Sequence, residues 1–154
     1  MQQPDLQPVF TAFAIPTPVQ SITPLSQGLI NQTLRVVDQQ GNSWVVQSIN
    51  THVFTDPVGV QRNILAVSDF LGQQNAEPIV PHYIRTRDNT TCYQDDNGHY
   101  WRVAKYVPNS HTMSHVTQPQ QAHSMGMFLG TFHKRLQSYP QNQLTPVLPN
   151  LHNT

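Results

Sequence analysis

Residues 26–31 read Ser-Gln-Gly-Leu-Ile-Asn, a short run centred on Gly28 between two β-rich stretches. A phosphate is bound where backbone N–H groups converge on its oxygens, and a turn containing glycine lets the backbone come close. Ser26, Gln27, Gly28, Leu29, Ile30 and Asn31 are candidates for that chemistry, and the same run also fits an ordinary hairpin turn. His111 and His115, with His123 beyond them, invite a metal-site reading. They lie mostly in a Ser- and Thr-containing link with no cysteine near, which favours surface histidines. Asp95-Asp96 precedes Asn97-Gly98 and reads as a turn pair rather than an acid–base dyad. Cys92 is the single cysteine, so no internal disulfide is available, and without a basic neighbour it reads as an inert thiol.

The elements that must hold these residues can be placed from periodicity. Residues 19–25 alternate loosely between apolar and polar and run as a strand into the glycine turn. Residues 30–37 and 43–49 are β-rich and are separated by Asp-Gln-Gln-Gly-Asn, the pattern of a hairpin. Asp56-Pro57 is a helix start, because the carboxylate can accept an orphan N–H and proline suits the first helical position. Val60, Ile64, Val67 and Leu71 then give that helix one apolar face, ending near Gly72. Residues 82–86 and 99–107 are two further strands. A second helix is expected over 117–139, with Ala122, Met125, Leu129, Phe132 and Leu136 on one stripe that Met127 and Phe128 widen. Core packing is the ordinary reading of such a stripe.

With 154 residues the chain has room for one domain with a real core. Lys plus Arg equals Asp plus Glu, so nothing draws the whole molecule to nucleic acid or to an anionic membrane. Charged residues are only 10%, against about 25% in typical domains, so amides, hydroxyls and histidines must make the polar surface. There is neither a signal-like N-terminus nor a long apolar run, and the cytoplasm is the expected address. Prolines crowd the ends and one mid-chain connector, predicting an extended head over 1–18 and an extended tail over 140–154.

The order strand, glycine turn, strand, strand, helix, strand, strand is that of a protein-kinase-like small lobe. Gly28-Leu29-Ile30-Asn31-Gln32-Thr33, the run from Trp44 through Gln47-Ser48-Ile49-Asn50-Thr51-His52-Val53-Phe54 to Asp56-Pro57, and Asn63-Ile64 resemble the aminoglycoside phosphotransferase and choline kinase superfamily. Within it they look most like the N-acetylhexosamine kinase-like sugar kinases. Tyr100-Trp101-Arg102-Val103-Ala104-Lys105-Tyr106-Val107-Pro108-Asn109-Ser110 looks like that family's last small-lobe strand and interlobe linker, and residues 126–132 and 149–154 like its continuation.

The resemblance implies an α+β fold: a five-stranded antiparallel sheet with one packed helix over 19–107, a linker over 108–116, and the first large-lobe helix over 117–139. It implies ATP, with Mg in a complete enzyme, as cofactor. Adenine would meet a carbonyl near Lys105 and an N–H near Val107, on either side of Tyr106, under Leu25 and Val45. Gln47 occupies the position where protein kinases carry a phosphate-pairing lysine, and the following helix supplies no glutamate. Either a neutral amide suffices there, or nucleotide binding is weakened, with Arg62 as a replacement charge. No residue matches the family's catalytic-loop aspartate or its metal-binding aspartate, so the expected role is the ATP-binding part of a sugar or alcohol kinase, inactive alone, with the acceptor met only through a large lobe. The competing expectations are a non-catalytic interaction module, self-associating through the 117–139 helix, and a truncated product without activity.

Overall fold

Alternation in the central strands gives the sheet two different faces, one of which forms the main core. A computed structural model describes residues 5–25, 28, 30–74, 80–110, 112–113 and 115–148. Strands β1 (Val19–Pro24), β2 (Gln32–Asp38), β3 (Ser43–Ile49) and β6 (Tyr100–Lys105) pair antiparallel in that spatial order. Two-residue strands β4 (Tyr83–Ile84) and β5 (Tyr93–Gln94) both pair with β6, so six segments occupy the sheet where five were expected. The fifth position is split because a Thr- and Asn-rich turn, with Asn89 at φ 59°, interrupts it.

Leu34, Val36, Val46, Trp101 and Val103 point to one face and form the core with Leu6, Val9, Phe10, Phe13 and Ile15. This corrects the extended head expected over 1–18. Residues Gln7–Ala12 form helix α1, with Asp5 Oδ1 accepting from the Gln7 N–H at 3.0 Å. Pro8 sits in its first turn, where a missing N–H costs nothing. Leu6, Val9, Phe10 and Phe13 lie at i, i+3, i+4 and i+7, and all are buried. The Arg87 N–H donates to Ala12 O at 2.8 Å and ties α1 to the split edge.

On the opposite face, the register pairs Thr33 with Gln47, Gln47 with Arg102, and Val45 with Ala104, which in turn faces Tyr83. Helix α2 (Pro57–Gly72) follows this face's strands and starts as expected, with Asp56 Oδ1 capping the Gly59 N–H at 2.8 Å. Val60, Leu65 and Leu71 are buried, and Ile64 and Val67 are half-buried.

Helix α3 (Pro119–Leu136) departs from the expected core packing, since none of its residues is buried. Only its C-terminal end and the residues after it reach α2. The Gln74 side chain donates to Arg135 O, Phe70 meets the Tyr139 ring edge-on at 5.1 Å, and Asn63 bonds both backbone groups of Thr145. Met125, Phe128 and Leu129 are more than half exposed. A 3-10 turn over Gln141–Gln143 interrupts the expected extended tail, and residues 149–154 lie outside the described ones. No helix among the described residues is long and apolar enough to cross a membrane.

Candidate functional site

The clasp around the glycine turn is built by the Gln-x-Ile-Asn run of β3. Asn31 Oδ1 accepts from the Asn50 N–H at 2.9 Å, and the Asn50 side chain donates to Ile30 O at 3.2 Å. The Gln47 amide N–H donates to Thr33 Oγ1 at 2.8 Å, and that hydroxyl is 3.4 Å from Asn31 O. Both ends of the run therefore grip the return of the turn, which explains why an amide stands at 47 and another at 50. At Gly28 a Cβ would lie 3.3 Å from Asn31 O and 3.5 Å from Thr33 Oγ1, leaving little room for a side chain. Ser26, Gln27 and Leu29 lie outside the described residues.

Between this turn and the strand leaving β6 lies a cavity of about 230 Å³. Leu25, Val45, Gln47, Lys105, Tyr106 and Val107, all singled out from sequence, line it together. Gly28, Ile30 and Asn31 do not reach it. Pro81, Tyr83, Arg102, Ala104 and Ser110 complete the wall and were not anticipated. The signal for Arg102 and Ala104 was present in the sequence: they alternate with the buried Trp101 and Val103, so they must point to the other face.

The backbone of 105–107 has a definite hydrogen-bond pattern. The Lys105 N–H donates to His82 O at 2.9 Å and the Tyr106 N–H to Ser43 O at 3.0 Å. Among the described residues the Val107 N–H has no partner, whereas Val107 O accepts from Ser110 Oγ at 2.7 Å. Asn109, at φ 57°, closes this turn. The Arg35 guanidinium lies 4.2 Å from the centre of the Tyr106 ring and fixes that side chain at the edge of the sheet. A flat heterocycle could lie under Leu25 and Val45 and accept from the Val107 N–H.

Arg62 does not lie at the cavity, which corrects its reading as a replacement charge. Its guanidinium donates to Thr145 Oγ1 at 2.9 Å on the exposed side of α2. The preceding residue, Gln61, faces the sheet and is fully buried. Lys105 and Arg102 both line the wall, and the cation bonded to Gln47 is Arg102. Its Nε donates to Gln47 Oε1 at 2.7 Å and its Nη1 approaches Gln61 Oε1 at 3.4 Å.

The remaining chemical candidates are scattered. Asp95 holds its own hairpin, accepting from the His99 and Asn97 N–H groups and from Trp101 Nε1. Burial pushes the half-buried Cys92 thiol up, away from thiolate reactivity. His111 lies outside the described residues, and among those described no group of three His, Cys, Asp or Glu could hold a metal.

Residues 21–151 match the model of the Phosphotransferase enzyme family. Among solved structures, the chain is similar to "Amicoumacin kinase hAmiN in complex with AMP-PNP, Ca2+ and Ami", with a TM-score of 0.63 at 16% identity. The match covers 88% of this chain and 40% of that one, so this chain spans well under half the length of the kinase it resembles. At that identity the likeness shows the fold, a kinase-like α+β arrangement, while the family match extends over most of the residues. The chain belongs to the phosphotransferase enzyme family, within the aminoglycoside phosphotransferase superfamily.

Proposed function

We propose that this chain binds the adenine nucleotide of an ATP-dependent small-molecule phosphotransferase, with the base in the cavity bounded by Leu25, Val45 and residues 105–107. One observation carries the reading: a largely apolar cavity meets an N–H, that of Val107, which no described residue uses, in a chain of this family. Adenine offers ring nitrogens that can accept from such an N–H. That the similar kinase was solved with AMP-PNP supports the same ligand class. The clasped turn of 28–31 would then approach the phosphates, Gly28 leaving space for their oxygens.

Within this reading, residues 19–107 are the nucleotide-binding lobe, 108–116 the linker, and 117–139 the start of a second lobe. The phosphoryl acceptor is a sugar or amino-alcohol hydroxyl, by the likeness of the 47–54 run to hexosamine kinases. The described residues of the cavity wall include no Asp, Glu or His. None of these described residues takes a proton from a hydroxyl at neutral pH, so in this reading the base and the metal ligands come from outside this wall. This chain by itself should release no ADP above background with Mg, ATP and a panel of amino sugars, choline and aminoglycosides.

Calorimetric titration with ADP tests the binding step. The wild-type chain should bind saturably, and Ala104→Ile, which fills the cavity with a β-branched side chain suited to a strand, should bind at background while melting normally. Equal affinity in that variant would place the nucleotide elsewhere. Gly28→Val should weaken ADP and leave adenosine unaffected, because only the phosphates approach the turn.

A further inference from the structure

Protein kinases place a phosphate-pairing lysine on the third strand and steady it with a helix glutamate. Here the third-strand position is a neutral amide, Gln47, and α2 brings a second amide, Gln61, with a cation between the two. Gln47 and Arg102 are direct cross-strand partners, so they rise from the same level of the same face. The orientation of the Gln47 amide is set by its donation to Thr33, which turns Oε1 toward Arg102 Nε. Gln61 is fully buried, offers Oε1 to Nη1, and has no partner for its Nε2. The Tyr83 ring lies 5.2 Å from the guanidinium carbon.

None of these contacts cancels the charge. The ion pairs among the described residues are Arg85–Asp69 and His99–Asp95, and neither involves Arg102. Among the described residues, the cavity that Arg102 lines has no carboxylate. A partly buried guanidinium held by amide dipoles and an aromatic ring keeps its full positive charge in a poorly solvated place, and such a charge is stabilised by an anion. Arginine presents several donors in a fixed fork, and two amides leave part of that fork free.

We propose that Arg102, on β6, is the phosphate-binding cation of this site, standing where other kinase-like folds use a third-strand lysine. The inference rests on the nucleotide reading above. The cation reaches the phosphates from the neighbouring strand, and Gln47 and Gln61 hold it there without neutralising it. Losing a charge-assisted hydrogen bond to phosphate should lower affinity about 10- to 100-fold.

The test compares ADP with adenosine, without metal, on the whole chain. The wild type should bind ADP more tightly than adenosine, by a margin that shrinks with added salt. Arg102→Met should erase the margin and leave adenosine affinity unchanged, and Arg102→Lys should keep part of it. An Arg102→Met chain that still prefers ADP would overturn the role of Arg102 and leave the nucleotide site standing. A wild type that binds neither ligand would remove the site itself, and Arg102 with it. Should Arg102→Met fail to fold, the side-chain Nε–H signal of Arg102 in labelled wild-type protein decides. It should shift with ADP and not with adenosine, and the absence of that shift would overturn the proposal.

Discussion

Two carboxylates hold the hairpins that set the register of the sheet. Asp38 Oδ1 accepts from the Gln40 and Asn42 N–H groups at 2.9 and 2.8 Å, and Oδ2 from the Asn42 side chain at 2.8 Å. Asp95 does the same at the other turn and adds Trp101 Nε1 at 2.9 Å. Burial raises both carboxyls, but these hydrogen bonds outweigh it and hold both below the ordinary carboxylate range. A depressed folded-state value stabilises the fold fully above the unfolded value of about 4, and that contribution fades as pH falls through the folded value. Melting temperature should therefore drop below about pH 4, and Asp38→Asn with Asp95→Asn should flatten that drop. An unchanged acid limb in the double variant would contradict the assignment. At the start of α2, Asp56→Ala should cost about 1 kcal/mol in denaturant melts, the usual worth of a capping side chain. At this scale the sequence singled out Leu25, Val45, Gln47 and residues 105–107, and these meet at one cavity. Arg102 was missed because the replacement charge was sought on the helix, at Arg62, whereas strand register placed it opposite Gln47.

Strand order, the start of α2 and the hairpins were readable because each rests on local chemistry: alternation, a cap followed by proline, and a Gly-containing loop. Helix α1 was hidden by prolines at 4, 8, 16 and 18, although Leu6, Val9, Phe10 and Phe13 already carried a helical spacing. Proline density says that a segment begins and ends abruptly; it does not exclude a single pair of turns between. The consequence is that the head of the chain belongs to the core, with Phe10 only 1% exposed and Val9 not at all. Phe10→Ala should destabilise the protein by about 3 to 5 kcal/mol, the cost of emptying a large aromatic site. Chemical denaturation reads this directly, and a loss below about 1 kcal/mol would mean that α1 docks loosely.

Over the whole molecule, one end of α3 packs on α2 and the rest carries Met125, Phe128 and Leu129 into solvent on one side. Exposed large apolar side chains so grouped rarely persist uncovered on a monomer. The isolated chain should therefore show concentration-dependent light scattering, reduced by Met125→Lys with Leu129→Lys at unchanged melting temperature. Phe132→Asp should instead lower the melting temperature, because Phe132 is half-buried in the cleft it shares with Ile64 and Val67. If neither the double lysine variant nor dilution changes the scattering, the stripe is not the contact. The spacing of this helix was legible, but what its apolar face would touch was not, since periodicity fixes a face and not its neighbour.

The central claim, that the cavity under Leu25 and Val45 takes an adenine nucleotide, is tested most directly by titrating the labelled chain with adenosine and following its backbone amide spectrum. The Val107 N–H, free of any described partner, should shift furthest together with the neighbouring linker amides, while the amides of the Asp38 and Asp95 turns stay in place. A Val107 signal that does not move at saturating adenosine, or shifts confined to other surfaces, would contradict the account.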